Sequence, residues 1–357
     1  MSWKVMSARE FAAHADAWQA LNDRGPRTQL LDAKFVGLLL EVFGTGREVL
    51  AVHEGAMAVL EPVGFARWQT FQPSQAPIGA WVSDAQHPPS EKLLRALVRK
   101  LPGLALACGV SQIDPDLVAR PEPTARLHTL DYIQTSRITI QGTFEDYWAK
   151  RPQNMRANVR RRRRRLEEAG TAPRLVAITD PFAMAKAVEE YGALESSGWK
   201  AESNTAIRAD NAQGRFYTRM LEEYAKRGEA TVFQCRYGDR LAASDLCIHR
   251  NGVIIVLKVT YDEALAGSGP SFLLRHDALQ QLFASGRFQR LEFYGKVREW
   301  HTKLTGEIRQ MYHITAYRWA VVPRLMARLR RANGDPAAEG EPTDAPTQGE
   351  PTPSELG

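Results

Sequence analysis

Cysteine is scarce in this chain. The three present, Cys108, Cys235 and Cys247, have neither the pairing of a disulfide framework nor the close spacing of a zinc site. Reduced thiols and no metal are therefore expected. Long apolar runs are missing too. The stretch Val253 to Leu257 is far shorter than the roughly 20 residues that cross a bilayer. The first residues, Met1-Ser-Trp-Lys, lack an apolar segment followed by a small-residue cleavage site. The expectation is a cytoplasmic protein with no membrane span.

Hydrophobic residues at 44% and charged residues at 25% exclude a disordered or fibrous chain as a whole, and 357 residues suit two domains better than one core. The charge is unevenly spread. Net charge is +6, but Asp335, Glu339, Glu341, Asp344, Glu350 and Glu355 lie in a C-terminal stretch without Lys or Arg, which leaves the remainder at +12. That stretch is rich in Pro, Gly and Thr and has no apolar periodicity, so 333–357 reads as a disordered acidic tail. The basic remainder suits anionic partners: phosphorylated cofactors, nucleic acid or acidic lipid.

Both halves run in the same order: helices, antiparallel strands, helix, strand. In the first half, Ser7-Ala-Arg-Glu10 starts a helix and a second covers about Leu31 to Phe43. Strands follow at Val49–His53, Met57–Glu61 and Phe65–Phe71, then a helix from Ser90 to about Pro102 and a strand within Leu104 to Ile113. After the Pro-rich stretch Pro115 to Pro123, the pattern predicts a strand at Arg137–Gln141. One helix is expected from Thr143 through the arginine run to about Ala169, then a strand at Leu175–Thr179 and helices at Ala183–Glu195 and Asn211–Lys226. A meander, Thr231–Tyr237, Leu241–His249 and Val253–Tyr261, turns at Gly238-Asp239 and Asn251-Gly252. A helix from Ser271 to Ala284 and a strand at Arg290–Tyr294 complete the half. The order is α+β and points to a duplicated unit, with domains at 1–125 and 126–332.

Two features carry chemistry. Arg160 through Arg165 are unbroken, within a helix whose Met155, Val159 and Leu166 form a packing stripe. The run suits anions, nucleic acid phosphates included. No aromatic side chains interleave it, as a single-strand stacking platform would need. The second feature is the strand Val256 to Asp262 leading into Ala266-Gly-Ser-Gly-Pro-Ser-Phe272, where Gly267 and Gly269 allow close approach of backbone and Pro270 opens a helix. The first amides of a helix together with its dipole form a phosphate seat.

The stretch from about Thr129 to Arg318 resembles the GNAT-type acyltransferases of the CelD-like family, associated with cellulose and exopolysaccharide biosynthesis and related in fold to Fem-type aminoacyl transferases. The resemblance is carried in order by Phe144-Glu-Asp-Tyr-Trp-Ala-Lys with Asn158-Val-Arg-Arg, by Glu195-Ser-Ser-Gly-Trp-Lys200, and by Leu257-Lys-Val-Thr-Tyr-Asp262. Ser268-Gly-Pro-Ser-Phe-Leu-Leu274 and Glu292-Phe-Tyr-Gly295 follow. Where the family has Pro-Gly this chain has Gly269-Pro270, and where it has Asp this chain has Glu292 or Phe293. The resemblance implies a duplicated GNAT fold of mixed sheets flanked by helices, with acyl-CoA as co-substrate bound in the second half. The pantetheine arm would lie along Lys258, Val259 and Thr260. The pyrophosphate would sit on the turn of Gly267, Ser268, Gly269, Ser271 and Phe272. The first half, with Gln72-Pro-Ser-Gln-Ala-Pro77 in the equivalent place, would help to build the acceptor cleft.

Direct acyl transfer needs a base for the attacking amine or hydroxyl and an acid for the leaving thiolate. Glu195 is the first candidate base and Asp245 the alternative; Tyr261 is the candidate acid. Trp199, Lys200, His301 and Lys303 are candidate contacts to the acceptor, a small molecule or a glycan. A different class is also open: a binding protein, or a tRNA-dependent Fem-type transferase, that uses Arg160–Arg165.

Overall fold

The computed structural model describes residues 2–196, 207, 208, 210–325 and 328. Trp199, Lys200 and the acidic stretch 333–357 lie outside the described residues. The chain forms two compact units. The first is Met1–Gln134 with the segment from Arg309, and the second is Thr135–Ile308.

In the first unit, Ser7 accepts from the Arg9 amide and opens a 3-10 helix, Ala8–His14, ahead of α1 (Ala15–Arg24). The expected first helix is therefore two helices of different pitch. Strand β1 (Lys4–Ser7) precedes them, and α2 (Ala33–Phe43) follows, capped by Asp32 on the Lys34 amide. Then come β2 (Val49–His53), β3 (Ala56–Pro62), β4 (Arg67–Thr70), β5 (Trp81–Ser83), α3 (Glu91–Val98) and β6 (Ala107–Ile113). Strands β1 to β4 pair antiparallel in succession, β4 pairs β6 in parallel, and β5 pairs β3.

The second unit starts in β7 (Leu127–Thr139), which spans the boundary, and continues through α4 (Phe144–Ala149) and α5 (Gln153–Glu168). The single helix expected from Thr143 to Ala169 is thus broken. Pro152 has no N–H to give and crowds the residue before it out of helical geometry. After β8 (Pro173–Ile178), α6 (Met184–Ser196) and α7 (Ala212–Ala225) come β9 (Ala230–Tyr237), β10 (Arg240–Arg250) and β11 (Val253–Tyr261). Asn251 and Gly252, at φ +51° and +76°, make the tight turn between the last two. Helix α8 (Pro270–Ser285), β12 (Arg290–Phe293) and α9 (Glu299–Leu304) follow, and β13 (Glu307–Tyr317) returns to the first unit, antiparallel to β6.

Strands β8 to β11 pair antiparallel, β11 pairs β12 in parallel across α8, and β12 pairs the end of β7 antiparallel. Each unit therefore has an antiparallel run, one parallel step around a helix, and a closing antiparallel strand. The expected repeat is real at the level of topology. The closing strand of the second unit comes from before its meander, and that of the first from the far end of the chain. One apolar core in the first unit gathers Trp81, Leu97, Tyr312 and Ile314; another in the second gathers Val256, Phe272, Phe293 and Trp300.

Candidate active site

The site is built on β11. Its β-branched and apolar sequence, Val253-Ile-Ile-Val-Leu, suits a strand buried on both faces. β11 pairs with β12 only from Val253↔Arg290 to Val256↔Phe293. Next, its register with β10 shifts from Val256↔Cys247 to Lys258↔Leu246, leaving Leu257 as the extra residue of a bulge. A bulge bends and twists its strand. From Leu257 to Tyr261, β11 has no strand partner on the β12 side among the described residues. The two strands splay at Leu257, and the β11 backbone there offers an edge to which an extended amide-bearing ligand can add.

Asp262 ends the strand. Its carboxylate caps the Ala264 amide and is paired with Arg240, so it fixes the turn rather than facing a ligand. A 3-10 turn, Glu263–Ser268, leads to Gly269 at φ +63° and into α8. The amides expected to be free are partly committed. Gly269 N–H donates to the Ala266 carbonyl at 2.9 Å and Phe272 N–H to the Gly269 carbonyl at 3.1 Å, while Pro270 has none. Ser268 Oγ is held by the Leu265 carbonyl and by Tyr237 Oη. Of this first turn, the Ser271 amide remains.

A guanidinium lies on the same spot. Arg162 of α5 covers Gly269 so closely that a Cβ there would meet its Nη1 at 2.3 Å. Arg163, its neighbour, pairs with Asp277 of α8 and not with Glu167 as the helix spacing suggests. Met155 and Val159 are buried in the core, as the stripe predicts, and Leu166 packs against it. Arg160, Arg161, Arg164 and Arg165 are exposed, with Arg164 paired to Glu168 at 3.4 Å. The arginine run thus divides into outward residues and a pair that reaches α8.

Alternation along β11 sends neighbouring side chains to opposite faces. On the α6–α7 face, Lys258 Nζ stands 5.9 Å from the centre of the Tyr217 ring. Glu195, 3% exposed, accepts the Ile207 amide on Oε2 at 2.7 Å. Burial, and then the Glu195 charge, push the Tyr191 and Tyr217 phenols well above their usual range. Glu195 and Lys258 are both buried on this face.

The α8 face carries Asp245, paired across the ladder with Val259 and 3.7 Å from Arg275 Nη2. Burial raises the Asp245 pKa, and Arg275 opposes the rise. Asp245 and Glu195, the two candidate bases, are served by different helices. Tyr261 is buried at the strand end in the same core as Phe272. His301 is buried with Nδ1 accepting the Arg298 amide, and burial lowers its pKa to about 3. Lys303 stands apart, paired with the exposed Glu299. Burial pushes the Cys108 and Cys235 thiols up to about 12 and raises Cys247 as well, so none is a ready thiolate. Among the described residues, no group of three or more His, Cys, Asp or Glu is placed to hold a metal, and no helix is long and apolar enough to cross a membrane.

Sequence reading missed Arg162 as a neighbour of Gly269, because nothing local singles out one arginine of six. It also missed Arg275. A signal was present there: a lone Arg in the apolar run Phe272-Leu-Leu-Arg-His-Asp-Ala-Leu279.

Residues 153–302 match the family model of an acetyltransferase (GNAT) domain. No curated protein sequence matches the chain. Among solved structures, it is similar to the C-terminal domain of a protein described as a lysylphosphatidylglycerol synthetase from Agrobacterium fabrum. The identity is 12% and the TM-score 0.55, with 90% of this chain and 96% of that one covered. L-PGS from Bacillus licheniformis gives 12%, a TM-score of 0.53, and coverage of 92% and 97%. FemX gives 9%, 0.53, and coverage of 92% and 99%. At such identities the likeness is one of fold. The chain has an α+β GNAT fold, and the enzyme class is acyltransferase.

Proposed function

We propose that the chain transfers an acyl group from acyl-CoA to an amine or hydroxyl of a small-molecule or sugar acceptor, with the donor held within 126–332. The observation that carries this reading is the splay of β11 from β12 after the pair Val256↔Phe293, with the following stretch of β11 ending where α8 begins. The pantetheine amides add to that stretch beside Lys258, Val259 and Thr260. The pyrophosphate meets the Ser271 amide and the Arg162 guanidinium across Gly269, a cation and a helix N-terminus acting together. Gly267, Ser268 and Phe272 shape the turn. The acceptor nitrogen or oxygen attacks the thioester carbonyl and gives its proton to Glu195. The C–S bond then breaks, and the thiolate, held at the splay between the two faces, takes a proton from Tyr261 on the α8 face, which solvent restores. Asp245, 3.7 Å from Arg275 on the opposite face of the sheet from Glu195, is the weaker candidate base. A glycan acceptor would agree with the CelD-like resemblance and its link to exopolysaccharide. His301, Trp199, Lys200 and Lys303 remain candidate acceptor contacts.

The test is calorimetric titration of coenzyme A into wild type, Arg162→Gln and Gly269→Asp, each checked for folding by circular dichroism. An aspartate at Gly269 adds a negative charge, pairs with Arg162 and occupies a left-handed φ at some cost. Both variants should stay folded and bind at least about tenfold more weakly, the effect of losing one charged contact worth about 1.4 kcal/mol or more. Undiminished binding to both would refute the donor site. The Fem-type reading, with a tRNA donor, draws on the likeness to FemX and on the exposed Arg160, Arg161, Arg164 and Arg165. It would prevail if RNA bound with a steep salt dependence set by those four arginines while coenzyme A did not bind.

A further inference from the structure

Behind the splay, on the α8 face, the core holds more hydrogen-bond donors than acceptors. Arg275 is 5% exposed, Trp300 7% and His301 1%. The guanidinium carbon of Arg275 sits 4.1 Å from the centre of the Trp300 ring, and the Trp300 and His301 rings stack with centroids 3.5 Å apart. Phe293, the last β12 residue paired before the splay, touches both rings edge-on at 5.4 and 5.2 Å. Ser136 lies directly across the ladder from Phe293, hence on the same face. Arg275 Nε, Trp300 Nε1, His301 Nε2 and Ser136 Oγ are all buried without a hydrogen-bond partner among the described residues. The His301 proton is on Nε2, because Nδ1 accepts the Arg298 amide.

Buried donors are nearly always paired, so the three of the Arg275, Trp300 and His301 stack, with the Ser136 hydroxyl on the same face, call for a missing acceptor. One water accepts two bonds and brings two hydrogens of its own into a place already rich in donors. A carboxylate accepts about four and brings none. Its charge also suits Arg275, whose nearest carboxylate, Asp245, is beyond hydrogen-bond reach at 3.7 Å. From these contacts we infer that Arg275, Trp300, His301 and Ser136 form a carboxylate pocket at the closed end of the β11–β12 splay. This inference rests on the donor site proposed above. The carboxylate arrives on a short dicarboxylic acyl group of the donor, or as a carboxylate of the acceptor.

The experiment titrates succinyl-CoA, butyryl-CoA, coenzyme A and free succinate into the full chain, and repeats the set with Trp300→Phe and Arg275→Lys. Trp300→Phe keeps an aromatic ring against Arg275 and removes one donor, so it stays folded even if the Arg275 variant does not. A donor-borne carboxylate predicts succinyl-CoA bound at least tenfold more tightly than butyryl-CoA, which is similar in length and lacks the charge, with the margin falling several-fold in Trp300→Phe. An acceptor-borne one predicts free succinate binding that adds to coenzyme A binding and weakens in the same variant. Free succinate binding, weakened by Trp300→Phe, with no coenzyme bound would keep the pocket and refute the donor reading. Equal binding of succinyl-CoA and butyryl-CoA, with no binding of free succinate, would overturn the pocket and leave water as its occupant, whatever became of the donor site.

Discussion

Glu195 is tied into the fold and is also the base proposed for the reaction. Its Oε2 accepts the Ile207 amide, so the carboxylate ties the end of α6 to the chain ahead of α7. Glu195→Gln keeps a carbonyl oxygen for that amide and removes the basicity. Glu195→Ala removes both and leaves a buried N–H unpaired, which costs about 1–3 kcal/mol. The expected result is an acyl-transfer rate at least about 100-fold lower in both variants, with only Glu195→Ala losing stability in urea. A Gln variant that keeps full kcat would reduce Glu195 to a structural tie. The sequence singled out Glu195 because an acid stood before Gly198-Trp-Lys. Its bond to Ile207, 12 residues on, has no local signature.

At the scale of elements, the arginine helix separates function from packing. Arg163 and Asp277 are both more than half buried and join α5 to α8. Arg161 and Arg164 point outward. Arg163→Gln leaves Asp277 without its guanidinium and should cost about 1–3 kcal/mol in urea unfolding, whereas Arg161→Gln and Arg164→Gln should stay within about 0.5 kcal/mol. Equal losses in all three would mean that the run stabilises the fold through its overall charge. Periodicity found the packed residues Met155 and Val159, because an apolar stripe is written at fixed spacing. It carried the helix through Pro152, since the pattern resumes on the far side of the proline. It paired Arg163 with Glu167, because only i+4 neighbours are visible in one dimension.

For the molecule as a whole, the buried His249 and His301 and the half-buried His313 set the response to acid. Burial lowers His249 to about 4, with Arg287 assisting; His301 to about 3, with Arg275 assisting; and His313 to about 4. In the unfolded chain each would titrate near about 6.5. Their folded pKa values are depressed, so below about pH 6.5 the unfolded state binds protons that the native state refuses, and stability falls as pH falls towards 4. At pH 5 each costs about 2 kcal/mol, from 1.36 kcal/mol per unit. The carboxylates held below their usual range, Glu48, Asp84 and Glu91, respond only at lower pH. Melting temperature should therefore drop by about 4 °C or more between pH 7 and 5, and His249→Gln should flatten that slope. A melting temperature constant over that range would show that the histidines are solvated.

Local and periodic information was enough for the α+β order, the meander with its Asn251-Gly252 turn, the helix caps at Ser90, Thr143 and Asn211, and strand β11. Each of these depends on residues within a turn or two of one another, where propensity and capping act. What only the tertiary structure decided were relations between distant residues. The closing strands β7 and β13 are supplied from outside their own meanders. The bulge at Leu257 opens the edge because β10 and β12 make different demands on one strand. Arg162 reaches Gly269 only because α5 packs near α8, and Arg275, Trp300 and His301 meet only because α9 folds back on Phe293. Such contacts form through burial, which acts between faces of the fold and leaves no fixed spacing in the chain.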